Sequence, residues 1–322
     1  MIKILANDGI DSAGKKIFEA AGFTVDTNKV AQEKISDALK NFDAILVRSA
    51  TTVRKEVIDA VPNLRLIGRA GVGMDNIDVK YAREKGLAVI NTPAASSQSV
   101  AELVFAHLFT GVRFLHDANR NMPSSENKET FDKLKKNYSS GIELRGKTLG
   151  IVGAGQIGKC VASIAVGLGM NVLFHRLNNE DVEVDLDFHP ALSKQRVSIS
   201  FKCVPFTRLL VQSDFITLHV PFPKGSQPII AKKEFDLMKQ GAGIVNTARG
   251  GVISENDLIE ALNSGKVSFA GIDVFEGEPV IKEELRKHPK VTLSPHIGGS
   301  TKEAQERIGI ELAEKVVEFF NK

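Results

Sequence analysis

The chain has 322 residues, enough for two domains of ordinary size, and its 43% hydrophobic and 25% charged content is that of a soluble globular protein. A formal charge of +3 offers no basic face to a phosphate backbone, and no apolar run nears the roughly 20 residues that span a bilayer, so nucleic acid and membrane are set aside as partners. Asn7 and Asp8 interrupt the opening stretch and two cysteines, Cys160 and Cys203, are too few for a disulfide framework, so a cytoplasmic protein with no leader and no metal is expected.

Short β-rich runs alternate with amphipathic stretches from the first residues. Strands are predicted over residues 2–6, 23–26, 44–48, 64–68 and 87–90, which implies a parallel sheet covered on both faces. Residues 121–141, with Pro123 and many Ser, Asn and charges, read as a polar loop. A second series follows at 148–152, 171–175, 215–219, 243–246, 269–273 and 291–293. Two such series imply an α/β protein with two doubly wound parallel-sheet domains. Residues 302–320 read as one helix in which Ala304, Ile308, Leu312, Val316 and Phe320 make a buried stripe. Packing that stripe back on the first domain makes the chain cross between domains twice.

One segment, 181–203, breaks the alternation. Val182, Val184, Leu186 and Phe188 recur with period two, as do Val197, Ile199, Phe201 and Cys203, on either side of a turn-rich stretch at 189–195. That is the pattern of an inserted β-hairpin.

Residues 147–176 carry a strand, then Gly153-x-Gly155-x-x-Gly158, then a helix and a second strand. In that context Gly153 permits a tight turn, Gly155 lets the backbone approach a pyrophosphate and Gly158 lets helix and strand pack closely. The phosphates then rest on a helix N-terminus, where free N–H groups favour an anion. An acidic residue is expected about 20 positions on to bond the ribose hydroxyls. Arg176 stands there instead.

Three charged residues sit beside strand ends in the second series, where open α/β sheets place ligands. Arg249 follows GIVNTA, Glu278 lies in GIDVFEGEP, and His296 lies in LSPHIGGST. An imidazole titrates near working pH and can take a hydroxyl proton and return it. A carboxylate beside it favours imidazolium, and an arginine can grip a substrate carboxylate and polarise a carbonyl. Taken singly, each has a structural reading, and His107, His116, His175, His189, His219 and His288 are read as structural. Taken together, Arg249, Glu278 and His296 point to oxidation of a 2-hydroxyacid.

The blocks GAGQIGK, LHVP, NTARGG, GIDVFEGEP and SPHIGGST resemble, in order and over essentially the whole chain, those of the D-isomer-specific 2-hydroxyacid dehydrogenases. The resemblance implies that Arg249, Glu278 and His296 are catalytic. It implies cofactor contacts at Gly153, Gly155, Gln156, Ile157, Gly158, Arg176, His219, Val220, Thr247, Ala248, Arg249, Asp273, His296, Gly298 and Gly299. A discontinuous flavodoxin-like substrate domain (1–98 and 295–322), a Rossmann-type cofactor domain (99–294) and a homodimer are implied as well. The blocks LVRSATTV, IGRAGVGMDNID, NTPAASSQSVAEL and HIGGSTKEAQERIG resemble the phosphoglycerate dehydrogenases of that family. They imply 3-phosphoglycerate as substrate in serine biosynthesis, held by Arg48, Ser49, Arg69, Gly71 and Arg113, with no C-terminal regulatory region expected. A glyoxylate or hydroxypyruvate reductase is the alternative within the family, and an NAD(H)-sensing corepressor the alternative outside it. For the cofactor, the resemblance implies NAD, whereas Arg176 suits the 2′-phosphate of NADP unless Glu180, Asp181 or Glu183 folds back to serve the ribose. NAD is expected as the main cofactor, with discrimination below roughly 100-fold because one charge contact sets it.

Overall fold

The computed structural model describes residues 1–178, 180–186, 197–223 and 225–322. It divides into two compact units, Met1–Ser99 with Gly299–Lys322, and Val100–Gly298.

In the first unit β1 (Lys3–Ala6), α1 (Ser12–Ala20), β2 (Thr24–Asp26), α2 (Ile35–Leu39), β3 (Ala44–Val47), α3 (Lys55–Ala60), β4 (Leu66–Arg69), α4 (Val79–Glu84) and β5 (Ala88–Asn91) alternate as their periodicity predicts. The strands form one parallel sheet in the order β2-β1-β3-β4-β5, with a switch point between β1 and β3. Successive residues point to opposite faces: Leu5, Ile45 and Ile67 join one core, Ile4, Leu46 and Leu66 the other. The second core is closed by the C-terminal helix (Lys302–Asn321), whose Ala304, Ile308, Leu312, Ala313 and Val316 are buried. It lies against α1 so closely that a Cβ on Gly14 would come 2.4 Å from the Gly309 carbonyl oxygen. Phe320 closes the stripe only partly, edge-on to Phe23 at 5.8 Å.

The second unit takes up most of α5 (Ser97–Val112), then α6 (Leu115–Asn121), α7 (Lys128–Asn137), β6 (Thr148–Val152), α8 (Gln156–Gly167) and β7 (Asn171–His175). The antiparallel hairpin β8 (Val182–Leu186) and β9 (Val197–Phe201) follows. Next come α9 (Phe206–Gln212), β10 (Phe215–Leu218), α10 (Lys232–Leu237), β11 (Ala242–Asn246), α11 (Glu255–Asn263), β12 (Val267–Ile272), α12 (Glu283–Lys287) and β13 (Val291–Leu293). Its parallel sheet runs β13-β12-β11-β10-β6-β7, so the order reverses between β6 and β10.

The hairpin explains why the sheet stops at β7. Val182, Val184 and Leu186 are buried in the core shared with α8, while Glu183 and Asp185 face out. On leaving the hairpin, Cys203 bridges to Phe174 and the Val204 N–H donates to the Phe174 carbonyl at 2.8 Å. A single bridge thus occupies the edge where a further strand would pair. The turn-rich stretch at 189–195 lies outside the described residues.

Residues 121–141 are not a loop as the composition suggests. They include the ten-residue α7, which buries none of its residues. Local chemistry holds it: Asn127 and Thr130 form a reciprocal capping box, and Lys128 pairs with Asp132 at 2.6 Å.

Candidate active site

The glycine motif lies at the switch point of the second sheet. Gly153 has φ 105°, and a Cβ there would fall 2.3 Å from the His219 carbonyl oxygen at the end of β10. A Cβ on Gly158 would fall 2.2 Å from the Gly153 oxygen, whereas Gly155 faces open space. Gly155 is also the N-cap of α8 and has no side chain to satisfy the first N–H groups at Gln156 and Ile157. These are the features that a pyrophosphate needs: an approachable backbone and free donors. His219 and Thr247 add polar atoms at neighbouring strand ends, since His219 Nδ1 and Thr247 Oγ1 are buried without a hydrogen-bond partner. The residues present therefore fit a dinucleotide. Val220 and Ala248 follow these two at the same strand ends, Ala248 buried.

His219 Nε2 shares a proton with Thr217 Oγ1 at 3.0 Å, and desolvation pushes the imidazole down to about 3. His107 is also pushed down by burial, against the raising effect of Asp273. His219 therefore stays neutral in the fold while the unfolded chain protonates near 6.5. Its contribution to stability is full above pH 6.5 and expected to fall as pH drops from 6.5 to 5, by about 1.4 kcal/mol per unit. Urea unfolding across that range should show the slope, and His219→Asn should flatten it.

At the end of β7, Arg176 does not project alone. Its Nη2 donates to the Glu180 carboxylate, which also accepts from Asn178 Nδ2 at 2.8 Å.

Arg249 follows β11 in a turn made by Asn246, whose Oδ1 accepts from the Ala248 N–H at 3.0 Å and whose Nδ2 donates to the Arg249 carbonyl at 2.9 Å. A Cβ on Gly250 would fall 1.8 Å from the Phe275 oxygen, so this turn lies tight against the loop carrying Glu278. Glu278 is held by the Phe275 N–H at 3.0 Å on one oxygen, and its other oxygen meets His296 Nδ1 at 2.9 Å. The two side chains are 37% and 51% exposed, so a small molecule can reach them. With Nδ1 engaged by a carboxylate, Nε2 is the nitrogen available for proton transfer.

His296 adopts φ 54°, a left-handed conformation costly for a residue with a Cβ. Its N–H donates to the carbonyls of Asp273 and Ser294 at 2.9 and 3.1 Å. The Asp273 carboxylate fastens the same loop, accepting from Ser294 Oγ at 2.5 Å, and from the Ile297 and Gly298 N–H groups at 2.9 Å. Beneath it, His107 bonds Thr292 and Ser294 at 2.5 and 3.0 Å. Asp273, expected to contact cofactor, holds the histidine loop in this way. It is 1% exposed and its carboxylate is occupied by the histidine loop. A strand-end Asp beside its partner loop carries no sequence mark of that role.

In the first unit, Arg48 follows β3 and Arg69 ends β4, at the carboxyl edge of two paired strands where Val47 registers with Arg69. Asp8 shapes the Arg48–Ser49 turn, accepting from the Arg48 and Thr51 N–H groups at 2.7 and 3.0 Å. Gly71 has φ 136°, and a Cβ there would strike Arg69 Nη1 at 1.6 Å, so glycine makes room for that guanidinium. Gly299, in the same unit, accepts from Gln305 Nε2 at 2.7 Å.

Arg113, expected to hold substrate, belongs to the second unit. Helix α5 places His107 at Thr292 and Ser294 but Gly111 against Phe269 near the start of β12. Arg113 then falls beside Glu143, Arg145 and Leu168, before β6 and after α8. That is the amino edge of the sheet, opposite the strand ends bearing Arg249 and His296.

Residues 105–298 match the D-isomer specific 2-hydroxyacid dehydrogenase, NAD binding domain family. A hydroxypyruvate reductase of Thermotoga maritima is 40% identical over 98% of this chain and 97% of its own length. A D-3-phosphoglycerate dehydrogenase of Methanocaldococcus jannaschii is 39% identical over 98% of this chain, which spans 57% of that protein's length. Among solved structures, a glyoxylate reductase from Paecilomyes thermophila superposes with a TM-score of 0.82 at 30% identity, covering 98% of this chain and 94% of its own. The fold, the dinucleotide cradle and these likenesses agree, and the chain belongs to the D-isomer-specific 2-hydroxyacid dehydrogenase family.

Proposed function

We propose that the chain interconverts 3-phosphoglycerate and 3-phosphohydroxypyruvate with NAD(H), the 100–298 unit taking the cofactor and the other unit the substrate. The observation that carries the substrate choice is the pair Arg48 and Arg69 at neighbouring strand ends. A phosphorylated substrate adds about two negative charges, and guanidinium groups suit them.

When bound, the nicotinamide supplies the acceptor or donor of the hydride. His296 Nε2 takes the substrate hydroxyl proton in oxidation and returns it to the forming alkoxide in reduction. Glu278, through Nδ1, fixes the ring and balances the imidazolium charge. Arg249 pairs with the substrate carboxylate and draws charge from the carbonyl. Gly153, Gly155 and Gly158 admit the pyrophosphate, and the donors of Gln156 and Ile157 meet it.

A second reading, hydroxypyruvate reduction, is favoured by the full-length likeness to a hydroxypyruvate reductase. Initial rates with 3-phosphohydroxypyruvate, hydroxypyruvate, glyoxylate and pyruvate, each with NADH and NADPH, separate the two. The first substrate is expected to be fastest, and silence on all four would point to a binding protein. Pairing of two copies through the 100–298 unit is supported by exposed apolar residues there, Phe109, Leu115, Met122, Phe131 and Ile142.

A further inference from the structure

We propose that Glu180 sets the cofactor choice, acting as an internal counter-ion that occupies Arg176 and keeps a 2′-phosphate from it. The inference rests on the reading of the 100–298 unit as the dinucleotide binder.

Position 176 ends the strand after the glycine-motif helix, where the adenosine ribose of a bound dinucleotide lies. An arginine alone there would hold a 2′-phosphate by charge-assisted bonds. This arginine is not alone. Its side chain is only 26% exposed, its Nε is buried without a partner, and Nη2 is bonded to Glu180. Asn178 Nδ2 gives the same carboxylate a second donor at 2.8 Å, so Glu180 is aimed at Arg176 from two sides.

The inserted hairpin is what makes this placement persist. Two residues past Glu180, Val182 is 1% exposed in the core beside α8, and at the far end of the hairpin Cys203 and Val204 are tied to Phe174. The chain from His175 to Val182 is therefore a short span between two anchored points. Glu180 is 69% exposed, so its pairing with Arg176 is a weak surface contact rather than a sealed one. A 2′-phosphate would have to displace it, lose that pairing, and sit beside the freed carboxylate. An NAD ribose meets a neutral pair that can still accept from its hydroxyls. In this way an arginine that by itself suits NADP becomes compatible with NAD.

The test is direct binding, without turnover. NADH and NADPH dissociation constants are measured by fluorescence on the wild type, Glu180→Gln, Glu180→Ser and the double variant R176Q/E180Q. Relative to NADH, affinity for NADPH is expected to rise 10- to 100-fold in both single variants, the size of one charge-assisted contact. The double variant should lose that gain, since Arg176 is its source. Calorimetry with 2′,5′-ADP should show the same order. NADH binding by the wild type keeps the underlying reading standing, and its absence would overturn that reading and this inference together. An unchanged NADPH-to-NADH ratio in variants that still bind NADH overturns the role of Glu180 alone. So does a gain that survives removal of Arg176.

Discussion

His296→Ala is expected to lower kcat by roughly 10²–10⁴, the range for loss of a positioned general base or acid. The loop should survive the change. What holds it is backbone N–H bonding to Asp273 and Ser294, together with the Asp273 carboxylate, and the imidazole takes no part in these. Alanine inherits the φ of 54° without adding strain, because histidine already bears a Cβ there. NADH affinity should therefore stay close to that of the wild type, which distinguishes lost chemistry from lost structure. Glu278→Gln gives the companion result. An amide no longer stabilises imidazolium, so the acid limb of the rate profile should move to lower pH. A profile that does not move would remove Glu278 from the mechanism, and a kcat within a few-fold for the alanine variant would remove His296.

Arg48→Gln and Arg69→Gln are expected to weaken kcat/KM for 3-phosphohydroxypyruvate by about 10- to 100-fold each, as one lost charge-assisted contact implies. The two stand at adjacent strand ends, so the double variant is expected to fall short of the product of the singles. Hydroxypyruvate, which lacks the phosphate, should lose much less. The comparison cancels general damage to the fold, since a distorted β3–β4 edge would slow both substrates alike. Gly71 bears on the same point: any side chain there displaces the Arg69 guanidinium, so Gly71→Ala should mimic the Arg69 variant. Equal losses on the two substrates would contradict the phosphate assignment.

Most of the fold was legible because its signals are local. Both strand series lie within a few residues of the predicted spans, and the period-two runs around 181–203 do pair as a hairpin. Helix α7 was not legible: it buries nothing, and a capping box followed by a single ion pair does not stand out in a polar stretch. The pairing of Glu278 with His296 was legible from chemistry and motif together. The left-handed backbone of His296, and the diversion of Asp273 to hold its loop, depend on φ and on contacts 20 or more residues apart in the chain. The resemblance names Arg113 without saying toward which end of α5 it falls, and the helix carries it to the amino edge of the second sheet. Arg176 was legible as an anomaly, but Glu180, Asp181 and Glu183 were read as acids for the ribose and not as partners for the arginine. That Glu180 turns to Arg176 depends on the short span between β7 and the packed Val182.

The most direct measurement of the central claim is NAD-dependent oxidation of D-3-phosphoglycerate against D-glycerate, in the same buffer and at the same ionic strength. The account predicts kcat/KM at least about 10-fold higher for the phosphorylated acid, the worth of a single arginine–phosphate contact. Equal rates, or a preference for D-glycerate, would contradict it and assign the chain to reduction of unphosphorylated 2-oxoacids.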